Sequence, residues 1–137
     1  MHKYSVKYFP DGNVDYLLEI ASGLYDQHPY PKREFHKTTY LEHVLRASHE
    51  DGMYVCLYDD VPIGAITVSD LMYDVHFGGP GRHITNFVVL PVSGSTRIVK
   101  RLLKEFRLSL YRGGECTWYS TTHRRDFYTL TTRYWRL

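Results

Sequence analysis

Between Pro91 and Arg97 the chain reads PVSGSTR, and the run that follows, RIVKRLLKEFRLSLYR, has two opposed faces at helical spacing. Ile98, Val99, Leu102, Leu103, Phe106 and Leu110 share one arc; Arg97, Lys100, Arg101, Lys104 and Arg107 share the other. A helix that starts after such a loop presents unpaired backbone N–H groups at its first turn, and those groups bind anions. Ser93, Ser95 and Thr96 add hydroxyl donors and Arg97 adds a cation, so the loop of Ser93, Gly94, Ser95, Thr96 and Arg97 suits a phosphate. The same spacing gives Ser95 or Thr96 a second use, as a side-chain cap of the helix. Metal chemistry is not indicated: His36, His43 and His49 are seven and six residues apart, without i, i+4 pairing or cysteine partners. Cys56 and Cys116 are the two cysteines; each sits in a strand-like run as a core residue, which fits a reducing compartment.

The elements that must position this loop follow from periodicity. HITNFVVL, residues 83 to 90, is an uncharged run of β-branched and aromatic residues after its histidine, the pattern of a buried central strand. Upstream, residues 3 to 9 alternate as a strand, and Pro10-Asp11-Gly12-Asn13 is a turn. With Asn13 as N-cap, Val14, Leu17, Leu18, Ala21 and Leu24 define a helix ending near Gly23 to Asp26. DQHPYPKR is loop, and a second helix is expected from about 37 to 49, with Leu41, Val44 and Leu45 buried and Thr38 or Thr39 as its cap. MYVCLY and VPIGAITVSD flank Asp59-Asp60 as a hairpin, and residues 71 to 82, with Gly78-Gly79-Pro80-Gly81, are expected to be a connection. After the long helix, ended by Gly113-Gly114, ECTWYSTT is a strand, RRDFYTLT a short helix or turn, and RYWRL a short last strand. The expected class is α/β (α+β): a single domain over residues 1 to 137, with one mixed central sheet and helices on both faces.

Composition narrows the classes further. A length of 137 residues supports one core, and a hydrophobic share of 43% without low-complexity tracts excludes a disordered chain. No apolar run reaches the ~18 residues of a membrane span, and MHKYSVKYFP lacks a signal-peptide core, so the expected location is the cytoplasm. The net charge of +2 hides an asymmetry: from Arg97 onward there are ten Lys/Arg against three Asp/Glu, and before it seven against twelve. A basic C-terminal third points to an anionic partner, whether a phosphorylated cofactor, nucleic acid or an acidic protein surface. Trp118, Tyr119, Tyr134 and Trp135, interleaved with Arg112, Arg124, Arg125, Arg133 and Arg136, suit either phosphate contacts with stacking or protein docking. A membrane-surface role is disfavoured because the helix's apolar arc is committed to the core.

The order of elements, the DDVPIG hairpin at residues 59 to 64, and Val89-x-Pro91 followed by a helix carrying Leu102-Leu103 resemble the GCN5-related N-acetyltransferase (GNAT) superfamily over nearly the whole chain. In that family the strand before the long helix leads into V-x-P-x-x-R-G-x-G-x-G-x-x-L-L, whose backbone amides hold the pyrophosphate of acetyl-coenzyme A. The frame here is VLPVSGSTRIVKRLL, residues 89 to 103, with Gly94 at the family's arginine and Ser95, Arg97 and Val99 at its glycines. The cofactor loop is therefore degenerate. A gap open above the helix start, between the strand of residues 83 to 90 and that of ECTWYSTT, would admit a cofactor; the same gap filled by Arg97 and Val99 would not.

The resemblance implies an acetyl-coenzyme A dependent N-acetyltransferase acting on an amine. The backbone of Phe87, Val88 and Val89 would hold the pantetheine arm and the loop of residues 93 to 97 the pyrophosphate, with Thr121 at the position of a family asparagine. The Phe127-Tyr128 pair matches one in the family's helix after the fifth strand, which makes Tyr128 the expected acid toward the leaving thiolate. Amine acetylation also needs a base, for which His83 and Asp70 are candidates. The acceptor pocket would come from residues 26 to 37 and 71 to 82. Compact members with eroded cofactor loops resemble proteins of bacteriophages, including virion-associated ones. The alternative is thus a non-catalytic GNAT-fold module, structural or for assembly, that binds an acidic surface or nucleic acid through its basic third. An edge strand after Tyr134 would leave room for another chain.

Overall fold

A computed structural model describes residues 3–27, 35–48, 51–91, 94–126 and 128–137. Along the chain run β1 (Tyr4–Phe9), α1 (Val14–Gln27), α2 (Lys37–Ser48), β2 (Gly52–Tyr58), β3 (Val61–Val68), β4 (Met72–Asp74), β5 (Gly79–Val89), α3 (Ser95–Gly113), β6 (Trp118–Arg124) and β7 (Leu130–Arg136). The strands form one seven-stranded mixed sheet in the order β1-β2-β3-β5-β6-β7, with the short β4 beside the start of β5. All neighbours are antiparallel except β5 and β6, which are parallel and joined through α3.

Helices lie on both faces, as the alternation of the strands requires. On one face α1 and α2 bury Leu17, Ile20 and Ala21 against Met53, Val55, Leu57, Ala65 and Val88. On the other, α3 presses Ile98, Leu102, Phe106 and Leu110 onto Tyr54, Cys56, Ile66, Val68, Ile84 and Tyr119. Its cations Arg97, Lys100, Arg101, Lys104 and Arg107 are exposed, as the two-faced pattern demands. Close contact fixes the helix to the sheet: Ile98 sits over Gly64 of β3, where a Cβ would come 2.8 Å from its Cγ2. Asn13 caps α1 as expected, its Oδ1 accepting from the Tyr16 N–H at 3.0 Å. Asp59 and Asp60 both take positive φ, 49° and 67°, the geometry of a tight two-residue hairpin turn.

Four expectations fail locally. Residues 71 to 82 are not merely a connection: β4 pairs with residues 79 to 81, so the Gly79-Pro80-Gly81 run is strand, extending β5 well before His83. Glycine is there to admit an indole, since a Cβ on Gly81 would lie 2.1 Å from Trp118, whose Nε1–H donates to the Gly79 carbonyl at 2.7 Å. Neither threonine starts α2, because the Tyr40 N–H already bonds the His36 carbonyl. Nor do Ser95 or Thr96 cap α3: its N-cap is Gly94, at φ 86°, with no side-chain cap bond. Leu41, Val44 and Leu45 are half-buried rather than buried, packed at the margin of the α1 cluster.

Candidate active site

The parallel pair β5 and β6 is matched from Gly81 and Trp118 up to Ile84 and Thr121. Beyond that rung β5 runs on to Val89 and β6 to Arg124 without pairing to each other. The two strands thus part at the end of the sheet where β5 hands over to α3. A bulge accompanies the parting: Val68 pairs with Ile84 and Thr67 with Asn86, which leaves Thr85 as the extra residue. Bulges re-aim side chains in this way beside functional sites.

Phe87, Val88 and Val89 lie on this unmatched stretch. Phe87, opposite Ile66 on the α3 face, is 36% exposed although its strand is central, which marks the wedge as open at its side chain. Val88 is buried under α1, and Val89 packs against the α3 cluster. At the same end α3 begins. Among the described residues a Cβ on Gly94 would have only the Tyr4 hydroxyl within 4 Å, at 3.9 Å. Among the described residues no side chain caps the first-turn N–H groups of Ser95, Thr96 and Arg97, and Arg97 is exposed beside them. Ser93 lies outside the described residues. Thr121 sits on the last rung, facing the α3 side like Tyr119, and its Oγ1 accepts from Trp135 Nε1 at 3.3 Å.

On the opposite face, below the parting, is a polar cluster that no spacing rule reveals. His83 is half-buried; its Nδ1 lies 2.7 Å from Ser120 Oγ and its Nε2 3.0 Å from Thr122 Oγ1. Ser120 is itself buried. The Thr85 hydroxyl lies 2.8 Å from Asp51 Oδ2 and 2.6 Å from the hydroxyl of the buried Thr67. Burial lowers the His83 pKa below the usual 6.5, and the Asp51 charge opposes that shift. The imidazole is consequently neutral at neutral pH, the state that accepts a proton. Asp70 is exposed on the loop after β3.

Tyr128 lies in the turn between β6 and β7, its ring 91% exposed and its N–H donating to Asp126 Oδ1 at 2.9 Å. No helix forms there among the described residues; Arg125 N–H bonds the Thr129 carbonyl and the chain returns directly as β7. Because β6 runs parallel to β5, this turn is at the same end of the sheet as the start of α3. No group of three or more His, Cys, Asp or Glu side chains arranged for a metal occurs among the described residues, and Cys56 and Cys116 are free thiols.

Ser120, Thr122, Thr85 and Asp51 are the site residues that sequence reasoning missed. The alternation of Ser120 and Thr122 in ECTWYSTT signals one shared strand face. Their partner His83, 37 and 39 residues earlier, becomes visible only with the β5–β6 register.

No family model matches the sequence, and no curated protein matches it. Solved structures do share the fold. A probable N-acyltransferase of Enterococcus faecalis V583 superposes with a TM-score of 0.60 at 13% identity over 90% of this chain, which spans 30% of the length of that protein. Aminoglycoside N-acetyltransferase AAC(6')-Iy, in complex with CoA, gives 0.59 at 15% identity, covering 91% of this chain and 80% of that one. An acetyltransferase from Streptococcus agalactiae 2603 gives 0.57 at 14% identity, covering 90% and 74%.

Proposed function

We propose that this chain, which has the fold of the GCN5-related N-acetyltransferases, is a single catalytic domain that moves an acetyl group from acetyl-coenzyme A to an amine. The observation that carries this reading is the parting of β5 and β6 beyond Ile84 and Thr121. It opens a slot through the sheet, with the uncapped start of α3 on one face and the His83 cluster on the other.

The residues present fit the cofactor in chemistry. The edge of β5 over Phe87, Val88 and Val89, left without a strand partner on the β6 side, offers backbone groups to the amides of the pantetheine arm. The N–H groups of Ser95, Thr96 and Arg97, reached past Gly94, and the Arg97 guanidinium receive the pyrophosphate, with Thr121 beside it. Arg97 serves in place of the family's glycine-lined turn.

Bound acetyl-coenzyme A supplies a thioester, whose C–S bond breaks as the C–N bond forms. His83 takes the amine proton at Nε2, directly or through the Thr122 hydroxyl, while Ser120 holds the ring from the other side. Tyr128, on the turn at the slot's end, holds the phenolic proton that neutralises the departing sulfur. Free Cys56 and Cys116 support a cytoplasmic setting. A second reading rests on a different observation, a basic valley along α3, and takes the C-terminal third as a surface for an anionic partner.

Calorimetric titration with acetyl-coenzyme A and coenzyme A tests the first reading. Saturable binding, weakened about tenfold by Arg97→Glu and retained in Tyr128→Phe, is expected; no heat up to millimolar ligand would overturn it.

A further inference from the structure

α3 covers the sheet mainly over β1, β2, β3 and β5, so β6 and β7 extend past it. On this face Trp135 pairs with Tyr119, the rings 6.2 Å apart and 14° from parallel, and stays 43% exposed. The Arg107 guanidinium lies 6.0 Å over the Tyr119 ring. Next to them the flank of α3 and the end of the chain enclose an open valley of about 410 Å³.

The floor of the valley is apolar: Leu103, Leu108 and Leu137, with the ring of Tyr111 standing 75% exposed at one end. Its rim is cationic, from Lys100, Lys104 and Arg107 on α3, and no aspartate or glutamate lines it among the described residues; Arg136 also lines it, but its guanidinium lies 4.9 Å over the Phe77 ring on the other face of the sheet. The lining runs along α3 from Lys100 to Tyr111. At 1.5 Å per residue that is roughly 16 Å, or three helical turns.

We propose that this valley docks an amphipathic helix of a partner protein, one with an apolar stripe at i, i+4 and i+7 and carboxylates along both flanks. The inference rests on the second reading above, in which the basic third binds an anionic partner, and is independent of acetyl transfer. Charge complementarity fixes the sign of the partner, because three cations of α3 line the valley and no aspartate or glutamate side chain does among the described residues. The apolar floor fixes its class. Nucleic acid would neutralise the rim but leave Leu103, Leu108 and Leu137 facing phosphates and sugars, whereas leucine-sized side chains of a helix fill such a floor. A lipid surface would need these apolar groups on a convex face, and here they are recessed between cations.

The probe is a fluorescein-labelled synthetic helix of about 15 residues, leucine along one stripe and glutamate on both flanks, followed by anisotropy with the full chain. A matched peptide with lysine for glutamate and a short DNA single strand are the controls. Saturable binding of the glutamate peptide is expected, weakened at least about fivefold by Tyr111→Ala and by Lys104→Glu. The lysine peptide should not bind. Tyr111 and Lys104 are exposed, so both variants fold. Binding of the DNA strand alone, or peptide binding indifferent to Tyr111→Ala, overturns the helix and leaves an anion-binding surface of broader taste. Failure of both glutamate peptide and DNA at low salt overturns the surface reading with it.

Discussion

His83 Nε2 and Thr122 Oγ1 lie 3.0 Å apart across β5 and β6, one residue beyond the last rung of the ladder that joins these strands. Ser120 Oγ, 2.7 Å from Nδ1, pins the ring from its other end. The histidine is thus held at the floor of the slot by two hydroxyls on the same face of one strand. Each hydroxyl can either give or take a proton, so the pair steers the tautomer without forcing a charge.

Thr122→Val keeps the β-branched shape and removes the hydroxyl. If Thr122 passes the amine proton to His83, kcat for acetyl transfer should fall about 10- to 100-fold with the KM for acetyl-coenzyme A unchanged. Global stability should move by only about 1 kcal/mol, the size of one part-buried hydrogen bond. Steady-state kinetics beside urea unfolding separates the two. An equal kcat in the variant would remove Thr122 from the proton path.

Asp51→Asn tests the electrostatics of the same cluster. Burial lowers the His83 pKa and the Asp51 carboxylate partly restores it, so removing that charge should lower the pKa further. The sign for folding follows. With the folded pKa below the unfolded one, the neutral ring's contribution is present above pH 6.5 and is lost as pH falls through the folded value. The variant should therefore lose stability over a window reaching to lower pH. An NMR titration of the His83 Cε1 proton measures the shift, and a rise in its pKa would contradict the account.

Gly81→Ala probes the closed end of the slot. The added Cβ would sit 2.1 Å from Cδ2 of Trp118, a fully buried indole anchored to the Gly79 carbonyl, so the ring cannot step aside without losing that bond. A loss of about 3 kcal/mol is expected, at the upper end for overpacking, read as a lowered urea midpoint. A near-neutral result would mean that Trp118 is free to repack.

How far the sequence carries is visible in these same residues. Period-two and helical patterns are local, so the long helix, the Asp59-Asp60 hairpin and the strand through Ile84 to Val89 were legible, and with them the mixed sheet covered on both faces. Gly79 and Gly81 read as loop because glycine's usual meaning is a turn; the reason for them here is close approach by residues of β6 and its lead-in more than 35 positions away, Thr117 over Gly79 and the Trp118 indole over Gly81. His83 was visible as a candidate, but its hydroxyl partners depend on the β5–β6 register, which no local pattern encodes. The residues around Tyr128 allow a short helix or a turn and the resemblance implies a helix; the chain makes a hairpin turn, because Arg125 and Thr129 pair across it.

Gly94→Ala separates the role of the α3 start in folding from its role in binding. Gly94 takes φ 86°, where an L-residue is strained by about 1–2 kcal/mol, yet among the described residues a Cβ would meet nothing nearer than the Tyr4 hydroxyl at 3.9 Å. The cost to folding is therefore backbone strain alone, and the helix behind it, held by Ile98, Leu102 and Phe106, has no reason to move. If the first-turn N–H groups hold the pyrophosphate, relief of that strain must rotate the peptide leading into Ser95 and tilt those donors away. Affinity for coenzyme A should then drop about tenfold or more, while affinity for pantetheine, which lacks the phosphates, should stay level. A stability loss of the expected size with unchanged coenzyme A affinity would show that the glycine serves the turn only. The phosphates would then have to be held elsewhere.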